Sequence, residues 1–337
     1  MKTLFTLNFT AITLTAALLI SLLSVPIAAQ QNSAQQSYPN YRVAGFVQQH
    51  FTLDETDGRP ANFSIYRARI GVSGQIHDRI RVNLVGGYVE PPNRTPRLVN
   101  AFVDFDVHPL LQIRTGQFLV PFGLEGPEVI TFNPAIERST AIRRLNTFNM
   151  FRDIGIQFSG RHEAFTYAIA VVNGTGANNP EQVDPKDILM RVGYDILPDL
   201  NVGFSGHYGR YQPDATSSNT EARYRIAADF FYRGTPFFTR GEFIYSIDEL
   251  PGGGDITRFG TYLLAGYKIT EQLEAILRGE YFEPNTDIDD AVLTIFTIGA
   301  NYRFVGNTRV SANYEIRDDK LNPDIKNLFT VQMQIAF

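Results

Sequence analysis

The sequence predicts an all-β fold, a transmembrane antiparallel β-barrel of about 16 strands. Three observations carry that prediction. From residue 40 onward, apolar and polar residues alternate with period two in segments of about ten residues, the pattern of strands with two unlike faces. The links between these segments are alternately short and long. The last segment, LFTVQMQIAF (328–337), puts Phe329, Val331, Met333, Ile335 and Phe337 on one face and Thr330, Gln332 and Gln334 on the other. A soluble sheet would cover that apolar face with a helix or a second sheet, whereas a lipid-facing strand needs no protein cover.

The N-terminus is read first. Lys2 is the only charge ahead of an apolar run, Ala11 to Ile27, which closes on Ala28 and Ala29 before the polar stretch QQNSAQQSYPN. This is the plan of a secretory signal peptide, 1–29, with cleavage expected after Ala29 and 30–337 left as the barrel. No later apolar run approaches the ~20 residues of a spanning helix.

Candidate strands then follow in order. The first half gives 41–53, 63–77, 79–90, 97–108, 110–120 and 152–162, and the second half opens with 164–174, 187–196, 201–211, 222–232 and 237–248. The series ends with 257–269, 273–283, 292–304, 308–318 and 328–337. Even-numbered strands lead into tight links such as HD (77–78), HPL (108–110) and VGN (305–307), odd-numbered ones into longer loops such as DETDGRPA (54–61), EPPNRTP (90–96) and PDATSSNT (213–220). Short turns at one end and long loops at the other fit an outer-membrane barrel with both termini at the periplasmic end. Two soluble sandwiches in tandem would explain the alternation equally well, but not the regular exchange of short and long links.

One link stands apart. Residues 121–151 form the third long loop, roughly thirty residues, a length that usually signals function. Its charges are Glu125, Glu128, Glu137, Arg138, Arg143 and Arg144, and ERSTAIRRL is expected to form a short helix capped by Ser139 or Thr140. A sixteen-stranded barrel is wide enough for an aqueous channel, and a loop of this length can fold into it. Arg138, Arg143 and Arg144 are therefore expected at a constriction, with Asp104 and Asp106 on the facing wall.

Composition narrows the partners. A net charge of −5 argues against nucleic acid, and an exported chain without cysteine cannot use disulfides. Aromatic content is high (26 Phe, 16 Tyr) while mean hydropathy is −0.13, which suits alternation better than apolar blocks. Of 30 basic residues only Lys2, Lys186, Lys268, Lys320 and Lys326 are lysine. With apolar side chains facing lipid, Arg67, Arg69, Arg81, Arg114 and Arg161 face the lumen, where rings of arginine favour anions. The early strands supply arginine and the fourth supplies Asp104 and Asp106, so a transverse field is expected across the pore.

Catalytic chemistry finds little support. The five histidines are scattered, and His77, His108 and His162 fall at predicted turns, so neither a metal site nor a cofactor is expected. Ser205 and His207 share a face, but no third residue orients them in the sequence, which leaves an outer-membrane barrel hydrolase the weakest alternative.

Several blocks resemble the phosphate-selective porin O and P family of bacterial outer membranes. They are RARIGVSGQIHDRIRVNL (67–84), NAFVDFDVHPLLQIRTGQFLVPFGLE (100–125), RDIGIQFSGR (152–161), AIAVVNGTG (168–176) and the terminal aromatic strand. The resemblance implies a homotrimer of sixteen-stranded barrels whose third loop constricts an anion-conducting pore. It also implies pore-lining lysine clusters, and here Lys268 is the main strand lysine. The expected activity is passive diffusion of small hydrophilic solutes, anions such as phosphate or other oxyanions, with an unselective porin as the alternative. Phe337 resembles the signal that such barrels present to their assembly machinery. Lipid and lipopolysaccharide are the expected surroundings, the latter near the acidic stretches DETD (54–57) and DIDD (287–290).

Overall fold

The computed structural model describes residues 38–88, 95–181, 184–212 and 220–337. The expected signal segment and the loop stretches 89–94 and 213–219 lie outside the described residues. Among the described residues there are sixteen strands. The first eight are β1 (Asn40–Asp54), β2 (Asn62–His77), β3 (Ile80–Tyr88), β4 (Pro96–His108), β5 (Leu111–Leu119), β6 (Arg152–His162), β7 (Phe165–Val172) and β8 (Asp187–Leu197). The rest are β9 (Leu200–Tyr211), β10 (Glu221–Tyr232), β11 (Phe237–Glu249), β12 (Asp255–Lys268), β13 (Leu273–Glu283), β14 (Leu293–Val305), β15 (Thr308–Asp319) and β16 (Leu328–Ala336). Each coincides with an expected strand, the ends moving by at most two residues.

Every strand pairs antiparallel with its sequence neighbours, and β1 pairs with β16, so the sheet closes into a barrel without an edge. Closure is what a spanning sheet requires, because unpaired backbone groups have no water to bond in the hydrocarbon. The seam is reinforced by side chains: Gln48 donates to Gln334 at 2.7 Å, and His50 and Gln332 meet at 2.9 Å. On the same strand Met333 and Ile335 are exposed on the opposite face while Thr330, Gln332 and Gln334 are buried. The polar face is thus the inner one. Phe337 prolongs the seam by two backbone bonds with Gly45, at 2.9 and 3.0 Å. A Cβ at Gly45 would lie 2.6 Å from the Phe337 ring, so glycine makes room for the terminal aromatic.

The two ends of the barrel differ as expected. Even-numbered strands lead into links of two to four residues, such as 78–79 and 233–236, and these mark the short-turn end. The long-loop end carries 120–151 and also 173–186, a second extended link that the sequence pattern does not single out. The sole α-helix among the described residues, α1 (Thr140–Leu145), lies in the first of these. Ser139 caps it, its hydroxyl accepting from the Ile142 N–H.

A bulge adjusts the phase of one early strand. Gln48 pairs with Arg67 and Gln49 with Ile65, leaving Tyr66 as an extra residue. Tyr66 and Arg67 consequently both turn inward: Tyr66 stacks on His50 at 4.0 Å and Arg67 is 2 % exposed.

Candidate functional site

The segment after β5 begins with Val120 and Phe122, both fully buried, and turns at Gly123. Gly123 has φ +72°, and a Cβ there would meet the Glu242 carboxylate at 2.1 Å, so the position needs glycine for conformation and for space. Its N–H donates to Ser205 Oγ at 3.1 Å, and the next N–H, of Leu124, to Glu242 at 2.8 Å.

From there the segment folds around its own charges. Glu125 is fully buried and accepts from the Ser139 N–H at 2.7 Å and from Asn133 Nδ2 at 3.1 Å. Arg138 answers from the other side, donating to the Glu125 carbonyl at 2.8 Å and the Glu128 carbonyl at 2.5 Å, its guanidinium 4.3 Å from the Phe151 ring centre. The buried charges of the loop are therefore matched within it although it has little regular structure, while Asn146 Nδ2 and Thr147 Oγ1 are buried without a partner.

The wall fastens this folded segment at two heights. Near the short-turn end Arg240 pairs with Glu128 at 2.9 Å, while Arg309 donates to the Asn133 carbonyl at 2.7 Å and Asn301 to the Pro134 carbonyl at 2.8 Å. Nearer the long-loop end Arg67 pairs with Glu137 at 3.0 Å and Arg278 donates to the Glu137 carbonyl at 2.7 Å. There too the Thr140 N–H donates to Glu280 at 2.5 Å, and Arg225 donates to the Leu145 carbonyl at 3.1 Å. Ala141, Ile142 and Leu145 bury the apolar side of α1, which packs on β11, β12 and β13. All these wall partners lie on the polar faces of their strands.

The link 173–186 buttresses the far end. Asn178, at φ +63°, donates its N–H to Gln117 at 2.8 Å and its amide to the Leu98 carbonyl at 2.9 Å. Arg223 holds the Gly174 carbonyl at 2.6 Å. Met150 and Phe151, where the chain re-enters β6, are both left-handed at φ 55° and 60°, a conformation disfavoured for such residues and imposed by the surrounding packing.

The expected site residues fall into three groups. Arg138 is 6 % exposed and bound within its own loop, with an edge on the cavity it shares with Arg67, Glu137 and Arg143. Arg143 and Arg144 are exposed on α1, and Asp104 and Asp106, expected on the wall facing them, make no contact with them. Those carboxylates are taken by neighbouring strands: Asp104 accepts from Arg114 at 2.7 and 3.0 Å, and Asp106 pairs with Arg81. The reason is height. Asp104 and Asp106 lie close to the short turn after His108, whereas Thr140 at the start of α1 is tied to Glu280 close to the long-loop end of β13. These pairs also correct the expected transverse field, since the acids of β4 sit between the arginines of β3 and β5 and neutralise them locally.

Of the five lumen arginines, Arg67 is part of the loop's clamp and also donates to Gln48 at 2.9 Å. Arg69 lies 5.6 Å from the Phe46 ring centre. Arg81 and Arg114 keep 42 % and 23 % of their side chains exposed along the open wall. Arg161 pairs with Asp195 at 2.5 Å at the short-turn rim. Between the loop and this wall is a cavity of about 440 Å³ whose lining includes Tyr66, Arg67, Glu137 and Arg143. Another, of about 490 Å³, lies beside Arg144, Arg225 and Arg258.

Ser205 and His207 serve fastening. His207 Nε2 meets the Asp187 carboxylate at 2.8 Å, which also holds Arg223 at 2.6 Å, and the ring packs 5.1 Å from Phe148. Ser205 Oγ is bound by Gly123 and by Arg191 at 3.2 Å. A buried histidine and a hydroxyl both held in this way leave no access for a substrate. Among the described residues no cluster of three or more His, Cys, Asp or Glu is placed to hold a metal.

A family pattern, phosphate-selective porin O and P, matches residues 40–246, more than half of the chain. The chain belongs to this family. It is an outer-membrane porin, a channel barrel. Among solved structures, OmpT of Vibrio cholerae is similar with a TM-score of 0.71 at 12 % identity, over 89 % of this chain and 100 % of that one. An anion-selective porin from Comamonas acidovorans gives 0.69 at 14 % identity, over 89 % and 100 %. Salmonella typhi OmpF gives 0.66 at 12 %, over 88 % and 97 %. These likenesses are of fold. Among curated proteins none matches the chain.

Proposed function

We propose that this porin passes small hydrophilic anions, oxyanions such as phosphate among them, through a lumen narrowed by loop 121–151. The observation that carries the reading is the pair Arg143 and Arg144: both are exposed, the loop is fastened by other residues, and Arg81 and Arg114, nearer the short turns, are balanced only by local pairs. Guanidinium groups not balanced by a carboxylate, beside a water-filled passage, attract anions and repel cations. The contacts from loop to polar strand faces support a segment lying inside the wall. An unselective porin is the alternative reading, favoured by the Arg81–Asp106 and Arg114–Asp104 pairs.

Reversal potential in a planar bilayer under a salt gradient tests the proposal. Anion preference is expected, and preference for cations would overturn it. The rest of the reading follows the same line. The chain is exported by a signal peptide removed after Ala29 and assembles as a homotrimer, as one similar structure, described as a trimer form, does. The barrel assembly machinery reads Phe337 at the seam, lipid covers the apolar belt, and lipopolysaccharide meets the acidic loop stretches. Deleting Phe337 is expected to lower the inserted amount in cells while leaving the heat stability of inserted barrels nearly unchanged.

A further inference from the structure

On the short-turn side of the loop a cavity of about 540 Å³ opens, within the size range of small-molecule sites. Five basic side chains line it, Arg233, Arg240, Lys268, Arg303 and Arg309, against two acids, Glu128 and Glu274. Glu128 is matched to Arg240 at 2.9 Å, and Glu274 accepts from Asn301 at 2.9 Å. The other cations have weaker company. Lys268 reaches Thr235 Oγ1 at 3.5 Å and Arg303 the Gly306 carbonyl at 3.4 Å. Arg309, 2 % exposed, donates through one terminal nitrogen to the Asn133 carbonyl while its Nε has no partner.

The remaining lining is apolar. Leu124, Phe132 and Pro134 come from the loop, Phe231 and Phe238 from the inner faces of β10 and β11. Phe132 is 60 % exposed although it belongs to a loop fastened to the polar faces of the wall. A large ring left open beside a polar wall is an informative exception, since apolar surface in water is normally covered. Phe231 already lies 4.2 Å under the Arg233 guanidinium, so an aromatic face next to a cation is built into the cavity.

We propose that this cavity is a binding subsite for organic anions with a flat apolar body, aromatic carboxylates being the simplest members. The phenylalanines take the ring and the Lys268 and Arg303 side takes the carboxylate. An inorganic anion gains only the second contact and a neutral aromatic only the first. The proposal rests on the anion-passing reading above and adds a class of solute to it.

Block of chloride current by benzoate, with acetate as the charge-matched control, tests it on the full-length protein in planar bilayers, each added from the short-turn side. Benzoate is expected to block at about tenfold lower concentration than acetate. Phe132→Ser should abolish that difference while chloride conductance stays within about twofold, and Phe132→Tyr, which keeps the ring, should retain it. Lys268→Gln combined with Arg303→Gln should weaken both blockers. Equal block by benzoate and acetate in the unaltered protein overturns the subsite, as does a difference that survives Phe132→Ser. Anion preference retained alongside equal block removes the subsite alone. Loss of anion preference with benzoate block intact removes the selectivity reading instead.

Discussion

The inner wall carries arginine on two arcs that behave differently. Along β9–β16 most arginines are tied to the loop or to acids of the wall, and the side chains of Arg225 and Arg278 are 4 % and 1 % exposed. Along β3–β5 Arg81 and Arg114 pair with carboxylates of β4 and remain in contact with water. Water access decides what the same residue type does. A buried guanidinium bonded to carbonyls and carboxylates becomes part of the scaffold, even where, as at Arg278, Nε is left without a partner. A partly exposed one in a local pair contributes little to stability.

The largest break in this contrast is removal of the segment that creates it. Deleting 126–146 removes the loop partners of Arg240, Arg278 and Arg309 and, on the proposed placement of the loop inside the lumen, opens that arc to water. An unobstructed sixteen-stranded barrel holds an aqueous channel, so single-channel conductance should rise by about twofold or more. Unchanged conductance would show that the segment does not limit flow.

Glu125→Ala asks whether the loop is held by its own core or by the wall. The substitution leaves the Ser139 N–H and the Asn133 amide without an acceptor. At about 1–3 kcal/mol for each buried group, the loop should lose roughly 2–6 kcal/mol of local stability. Amide exchange in 123–145 should accelerate while the strands stay protected. Equal protection in both would mean that the wall contacts suffice.

Sequence alone reached one level of this organisation and missed another, for physical reasons. Alternation and link length are local properties, so all sixteen strands were readable, as was a short helix capped by Ser139 or Thr140, of which Ser139 makes the bond. The inward direction of Arg67 was readable too, although the bulge at Tyr66 that permits it was not. What holds the loop joins residues far apart in the chain, Gly123 with Ser205 and Asn133 with Arg309, and nothing in either local pattern names the partner. Asp104 and Asp106 illustrate the same limit. Their face was plain from the alternation, but their height in the barrel, which pairs them with Arg114 and Arg81 instead of Arg143 and Arg144, depends on strand register. Asn178 and the link 173–186 carried no distinguishing signal beyond length.

Arg143→Gln with Arg144→Gln bears on charge without touching the fastening, because both side chains are exposed and the helix is held through Ser139, Thr140, Ile142 and Leu145. Reversal potential should move toward zero selectivity with conductance changed by less than about twofold, the remaining anion preference being that of the open wall. An unmoved potential would assign selectivity to Arg81 and Arg114 alone.

Arg161→Gln should have the smallest effect. Arg161 lies on the same face of β6 as the buried Asp153 and Gln157, but its side chain is 60 % exposed at the short-turn rim and paired with Asp195. Water screens the pair. Thermal stability and selectivity should both stay at the level of the unaltered protein. A measurable shift in selectivity would mean that the rim itself filters ions, which would place part of the barrier outside the loop and make the two arcs less distinct than their burial implies.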